Sequence, residues 1–74
     1  MPSSSTITWK SYVAIDISSN GQALSDQFDA PHDTAAARRA QFAAEGHLLQ
    51  LWRDARLIGA WRRTSSRTYE PEAF

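Results

Sequence analysis

From Thr6 to Ser18 the chain alternates. Ile7, Trp9, Val13, Ile15 and Ile17 share one parity, and Thr8, Lys10, Tyr12, Ala14 and Asp16 share the other. Period-two alternation rich in β-branched and aromatic residues predicts a half-buried strand. Ser11 is the one polar break on the apolar parity. Ser19-Asn20-Gly21-Gln22 follows, and Asn-Gly is a strong two-residue hairpin signal because both central residues of a type I′ turn need positive φ. Pairing Ser19 with Gln22 sets Ile17 opposite Leu24, Ile15 opposite Asp26 and Val13 opposite Phe28. Leu24 and Phe28 then join the Ile/Val face, as the pleat requires. Trp9 and Phe28 are expected on the inner side. Asp26 is the misfit, tolerable near an edge or beside an arginine.

Asp29-Ala30-Pro31-His32-Asp33 breaks the strand. Asp33 or Thr34 is the expected N-cap of a helix running from Thr34 to Glu45, a stretch rich in Ala, Arg and Gln. Gly46 is the expected residue just past its end. Ala36, Ala37, Ala40, Ala43 and Ala44 form a small-residue face, and Phe42 points away from it.

His47 to Arg63 admits two readings. As a hairpin, His47–Trp52 and Leu57–Trp61 turn through Arg53-Asp54-Ala55-Arg56, with Leu51 opposite Ile58, Leu49 opposite Ala60, Leu48 opposite Trp61 and Trp52 opposite Leu57. As a helix, Leu48, Leu51, Trp52, Ala55, Ile58 and Arg62 follow the 3.6 period nearly as well. The glycines at 46 and 59, and the short charged tetrad between two apolar runs, favour the hairpin. The expected fold is therefore α+β: a small ββαββ two-layer domain, with a four-stranded antiparallel sheet and one helix on one face. Residues 1–5 and 70–74 read as tails around a single domain at 6–69. Thr68 and Tyr69 could prolong an edge strand that Pro71 stops.

One helix covers one sheet face only. If Leu49, Leu51 and Ile58 face the helix, then Leu48, Trp52, Leu57 and Trp61 join Tyr12 and Lys10 on the open face. The opposite choice buries the tryptophans, and the size of Trp61 argues for its burial, with Trp52 partly exposed beside the turn.

At 74 residues and 42% apolar content the chain is one ordinary small domain, with a modest core. No apolar run spans a bilayer, no secretory core follows the polar start, and the expected location is the cytoplasm. There is no Cys, which excludes disulfides and thiolate chemistry. The net charge is zero but uneven. Lys10 faces Asp16, Asp26, Asp29 and Asp33 in the first half. The second half holds seven Arg: 38, 39, 53, 56, 62, 63 and 67.

Catalytic chemistry is sparse. His32 and His47 are the only histidines. Asp29, His32 and Asp33 could approach a metal, but local spacing alone does not make a zinc site, and turn and capping roles suffice. The three glycines are isolated, so no phosphate loop is present. No cofactor is expected, and the protein reads as a non-enzyme. Aromatics are abundant, and apolar aromatic patches rimmed by Arg mark interaction sites. The expected function is a small protein-binding module, of the inhibitor or accessory type common on phages and bacterial mobile elements, acting on a larger protein. The partner-binding candidates are Lys10, Tyr12, Phe42, Trp52, Arg53, Arg56, Arg62 and Arg63. RNA or single-stranded DNA binding by an aromatic and Arg sheet face is the alternative. A structural homodimer subunit is the third reading, and a homodimer is also expected, since one alanine-faced helix leaves apolar surface uncovered.

Overall fold

The alternating first segment does form a strand, and Asn20-Gly21 does sit in a hairpin, but the loop is one residue longer than expected. The computed structural model describes residues 8–65 and 68–71. The expected tail at 1–5 and most of that at 70–74 lie outside them. Strand β1 (Lys10–Ile17) pairs antiparallel with β2 (Ala23–Ala30), α1 (Asp33–Ala43) follows, then β3 (Leu48–Arg53), β4 (Arg56–Ser65) and β5 (Thr68–Pro71). The fold is α+β, with five strands where four were expected; Thr68 to Pro71 adds the fifth. The sheet is antiparallel, in the order β2-β1-β3-β4-β5. The helix carries the chain from β2 over β1 to β3. No helix among the described residues is long and apolar enough to cross a membrane.

The first hairpin corrects the two-residue turn. Ser18 pairs with Gln22 (N–H to C=O 2.8 Å), and Gly21 donates its N–H to the Ser18 carbonyl at 2.9 Å. Gly21 has φ +88. This is a three-residue loop closed by a left-handed glycine, the next commonest hairpin design after the two-residue turns. Ser18 and Asn20 side chains bond each other, and both reach Gln22 N–H, at 3.2 and 3.1 Å. These polar contacts stabilise the longer loop. The register is accordingly Ile17↔Ala23, Asp16↔Leu24, Ala14↔Asp26 and Tyr12↔Phe28. One residue of shift exchanges the faces, so Leu24 and Phe28 lie with Asp16 and Tyr12, not with Ile17 and Val13.

The core consequently uses the parity that looked polar. Tyr12, Ala14, Phe28, Ala30, Ala36, Ala40, Leu49 and Leu51 are buried. Tyr12 and Phe28 stack at 6.0 Å between ring centroids. Trp9, expected inside, is 60% exposed. Half of these core residues are alanines, which let α1 lie close to the sheet, so the two rings and two leucines supply most of the buried apolar area.

The cap of α1 is His32, whose Nδ1 accepts the Ala35 N–H at 3.1 Å. Neither Asp33 nor Thr34 caps the helix; both lie in its first turn, and the Asp33 carboxylate is left for other partners. The helix ends two residues before the expected Glu45, with Ala44 extended. Gly46 is not a left-handed terminator. Its role is close approach, because a Cβ there would meet the Ile17 carbonyl oxygen at 2.5 Å.

The second segment is a hairpin, not a helix. Arg53 pairs with Arg56 and Trp52 with Leu57, as expected, and Asp54 takes φ +56 in the two-residue turn. Asp tolerates that region better than most residues. A bulge then shifts the register, giving Leu51↔Gly59, Gln50↔Ala60 and Leu49↔Trp61 in place of Leu51–Ile58, Leu49–Ala60 and Leu48–Trp61. The extra residue is Ile58. The bulge turns Trp61 onto the helix side, where its ring covers Gly59.

Gly21 tests the loop. Nothing surrounds its missing Cβ, so a substitution strains only the backbone. Gly21→Val should destabilise by about 1–2 kcal/mol, the cost of a β-branched residue at positive φ. Chemical denaturation measures it, and an unchanged midpoint contradicts the loop geometry.

Candidate interaction surface

The one-residue register shift places β1's aliphatic residues on the face opposite α1. Pairing aligns Val13 with Trp52 and Trp52 with Leu57, Ile15 with Gln50 and Gln50 with Ala60, and Ile17 with Leu48. All of these side chains are half-buried. Trp52 Nε1 donates to Gln50 Oε1 at 3.1 Å, tying the indole to its own strand. Ala23, Ser25, Gln27 and Asp29 of β2 flank this apolar band on one side, and Arg62 with Glu70 on the other. Ser11, on the same face, donates to Asp29 Oδ1 at 3.0 Å.

The eight candidate residues divide between the two faces and the helix. Trp52 and Arg62 belong to the open face. Tyr12 and Lys10 do not, contrary to expectation: Tyr12 is fully buried under α1 and Lys10 Nζ donates to the Pro31 carbonyl at 3.4 Å. The register shift is the cause. Arg53 is on the helix side, where its guanidinium meets Asp33 at 3.1 Å. Arg56 is exposed beside the turn. Phe42 is 93% exposed on α1, remote from the open sheet face. The pattern places Val13, Ile15 and Ile17 in the core; they lie half-buried on the open face instead. Only the loop length, which sets parity, could have revealed them.

Arg63 is a structural tie. Its Nε donates to the Gly46 carbonyl and one Nη to the Ala44 carbonyl, both at 3.2 Å, and the guanidinium lies 5.2 Å from the Tyr69 ring centroid. Tyr69 donates to the same Gly46 carbonyl at 2.7 Å. From the opposite side, Asp16 accepts the Glu45 and Gly46 N–H groups at 2.9 and 2.7 Å. An acid on β1, a cation on β4 and a phenol on β5 therefore hold the loop after α1.

A second polar group joins the helix start to the sheet. Tyr12 donates its hydroxyl proton to Asp33 Oδ1 at 2.6 Å, and Arg53 donates to the same oxygen at 3.1 Å. Burial pushes the Tyr12 hydroxyl above its ordinary pKa. The bond to Asp33 pushes the same way, and Arg53 works against both. A folded pKa above the unfolded one gives stability that is complete below about pH 10, the ordinary phenol value. That stability is lost as pH rises through the raised pKa. Thermal melts from about pH 8 upward should show this alkaline decline, and Tyr12→Phe should flatten it. An equal decline in both proteins contradicts the assignment.

His32, Asp29 and Asp33 do not converge on a metal: each is held by a separate partner, and no group of three or more potential ligands occurs among the described residues. Between α1 and β2 lies a cleft of about 280 Å³, floored by Ala14, Phe28, Ala40 and Leu49 and bordered by Leu24, Asp26, Arg39 and Glu45. Arg39 stacks over Phe28, 4.7 Å from the ring centroid. Comparison with protein-family models, curated proteins and solved structures finds no match, so the functional reading rests on this geometry alone.

Proposed function

We propose that the protein is a non-enzymatic protein-binding module, of the inhibitor or accessory type, that docks an apolar face of a larger protein against its open sheet. The observation that carries this is the half-buried band of Val13, Ile15, Ile17, Leu48, Trp52 and Leu57, with Gln50 in its middle, on the side of the sheet without a helix. A sheet needs its apolar face covered, and apolar surface left open in this way marks interaction sites. The rim supports a protein partner over nucleic acid. Trp52 is the one aromatic in the strands of this face, with Trp9 exposed just ahead of β1, Tyr12 and Tyr69 lie on the other face, and Arg62 stands beside Glu70. A stacking platform for bases needs several rings and a basic track.

The test is photo-crosslinking in the native host, with the reactive group at Ile15 or Leu57 and a control at Thr34 on the outer helix. Crosslinks to one protein from the two sheet positions, absent from the control and from an Ile15→Asp variant that stays folded, support the reading. Binding that collapses with added salt points to phosphate contacts instead. Crosslinks only to a second copy make the face a dimer interface.

A further inference from the structure

The free edge of the sheet at β2 is a second surface, independent of the open face. β2 is the outermost strand and no described strand lies beyond it. Hydrogen-bonded pairs alternate along an antiparallel ladder. Ser18 bonds to Gln22, so Asp16–Leu24, Ala14–Asp26 and Tyr12–Phe28 are the bonded pairs. The N–H and C=O groups of Ala23, Ser25, Gln27 and Asp29 therefore point outward. Their eight-residue strand pairs with β1 without a bulge and holds no proline before its end. Natural edges are commonly blunted by bulges, proline or charged side chains; this one has neither bulge nor proline, and its charges are two aspartates, Asp26 and Asp29.

Beside this edge opens the α1/β2 cleft. A strand added to β2 would place alternate side chains over it. Its floor is apolar, and its border carries two acids against one cation: Arg39 is occupied over the Phe28 ring, while Asp26 and Glu45 have no side-chain partner among the described residues. Leu24, at the lip, is 71% exposed. A long basic side chain fits both properties: its stem covers apolar surface and its head reaches a carboxylate. A second copy is disfavoured in one register: two β2 edges paired about a two-fold axis at Asp26 would set like charges directly opposite, which is destabilising.

We propose that the β2 edge binds an extended basic segment of a partner protein as a sixth strand, with Arg or Lys side chains laid across the α1/β2 cleft toward Asp26 and Glu45. Main-chain pairing supplies the affinity and the cleft the selectivity, as in other strand-addition complexes.

The probe is a synthetic peptide the length of β2, alternating arginine and valine, and its counterpart with glutamate for arginine. Titration followed by amide NMR should show the arginine peptide binding, with the largest shifts in β2 and α1, and the glutamate peptide at least about tenfold weaker. Asp26→Lys should weaken the arginine peptide by a similar factor. Ser25→Pro removes an outward N–H without touching the β1 ladder and should abolish binding while the fold is retained. No binding, equal binding of the two peptides, shifts confined to the open face, or indifference to Ser25→Pro each overturn the proposal. So does a concentration-dependent dimer that Ser25→Pro dissolves, since the edge then serves a second copy. Crosslinking at Ile15 does not probe this surface, so the two readings fail separately.

Discussion

Replacing Gly46 by valine will leave most molecules unfolded at room temperature. The position has no room for a Cβ: it would meet the Ile17 carbonyl oxygen at 2.5 Å and the Ile17 carbonyl carbon at 2.8 Å, and it would displace the Asp16 carboxylate. The first two neighbours are backbone at the end of β1, paired with β2 on one side and β3 on the other, and cannot rotate aside. Forcing extra carbon into such a contact costs about 1–3 kcal/mol, occasionally more. Moving Asp16 also weakens two charge-assisted bonds to the Glu45 and Gly46 N–H groups, each worth roughly 1.5–3 kcal/mol. Small domains hold only about 3–5 kcal/mol in all. Circular dichroism with a urea titration reads the outcome. Asp16→Asn, which removes charge without adding bulk, should lose less and remain folded. A Gly46→Val protein that melts within a few degrees of the parent would show that the loop is not pressed against β1.

Trp61→Ala and Trp52→Ala should separate sharply. Trp61 lies on the helix side, packs against the core and covers Gly59, whose missing Cβ would meet the indole at 2.7 Å. Truncation exposes the backbone of a buried glycine and removes a large ring, at a cost of about 3–4 kcal/mol. Trp52 is on the open face, bonded to Gln50. Its truncation should cost roughly 1 kcal/mol or less while weakening partner binding by about 2 kcal/mol or more, as aromatic anchors do. Urea denaturation of the two variants gives the comparison. Equal losses of stability would contradict the assignment of the two rings to opposite faces.

Much of the secondary structure was legible in the sequence, and most of the side-chain placement was not. The alternation of Val13, Ile15 and Ile17, the Asn20-Gly21 signal, the alanine-rich helix and the charged tetrad at Arg53–Arg56 each announced their element. Face assignment failed for a local reason. Two-residue and three-residue loops both welcome glycine at position 21, and the choice between them rests on Ser18 and Asn20 side chains bonding the loop. The pattern also misled through chemistry: Tyr12 counted as polar, yet with Asp33 and Arg53 meeting its hydroxyl it becomes the most buried ring in the fold. The bulge at Ile58, which moves Trp61 across the sheet, has no composition signal apart from Gly59. Arg63 looked like a rim cation because arginines usually are; its partners are backbone carbonyls from a loop distant in sequence.

Hairpin tips are ordinarily where a lineage accumulates insertions and deletions at little harm. The loop at Ser19-Asn20-Gly21 keeps that freedom and β2 does not. Losing one loop residue would leave Ser18 opposite Gln22 across a two-residue turn, and every pair of the hairpin would survive. Losing one residue inside β2 would instead carry all later positions over by one pleat. Phe28 and Ala30 would leave the core, and Gln27 and Asp29 would be thrust beneath the helix. Gaps in any descendant sequences should therefore gather at the tip, while the count of residues from Gln22 to Phe28 is held constant.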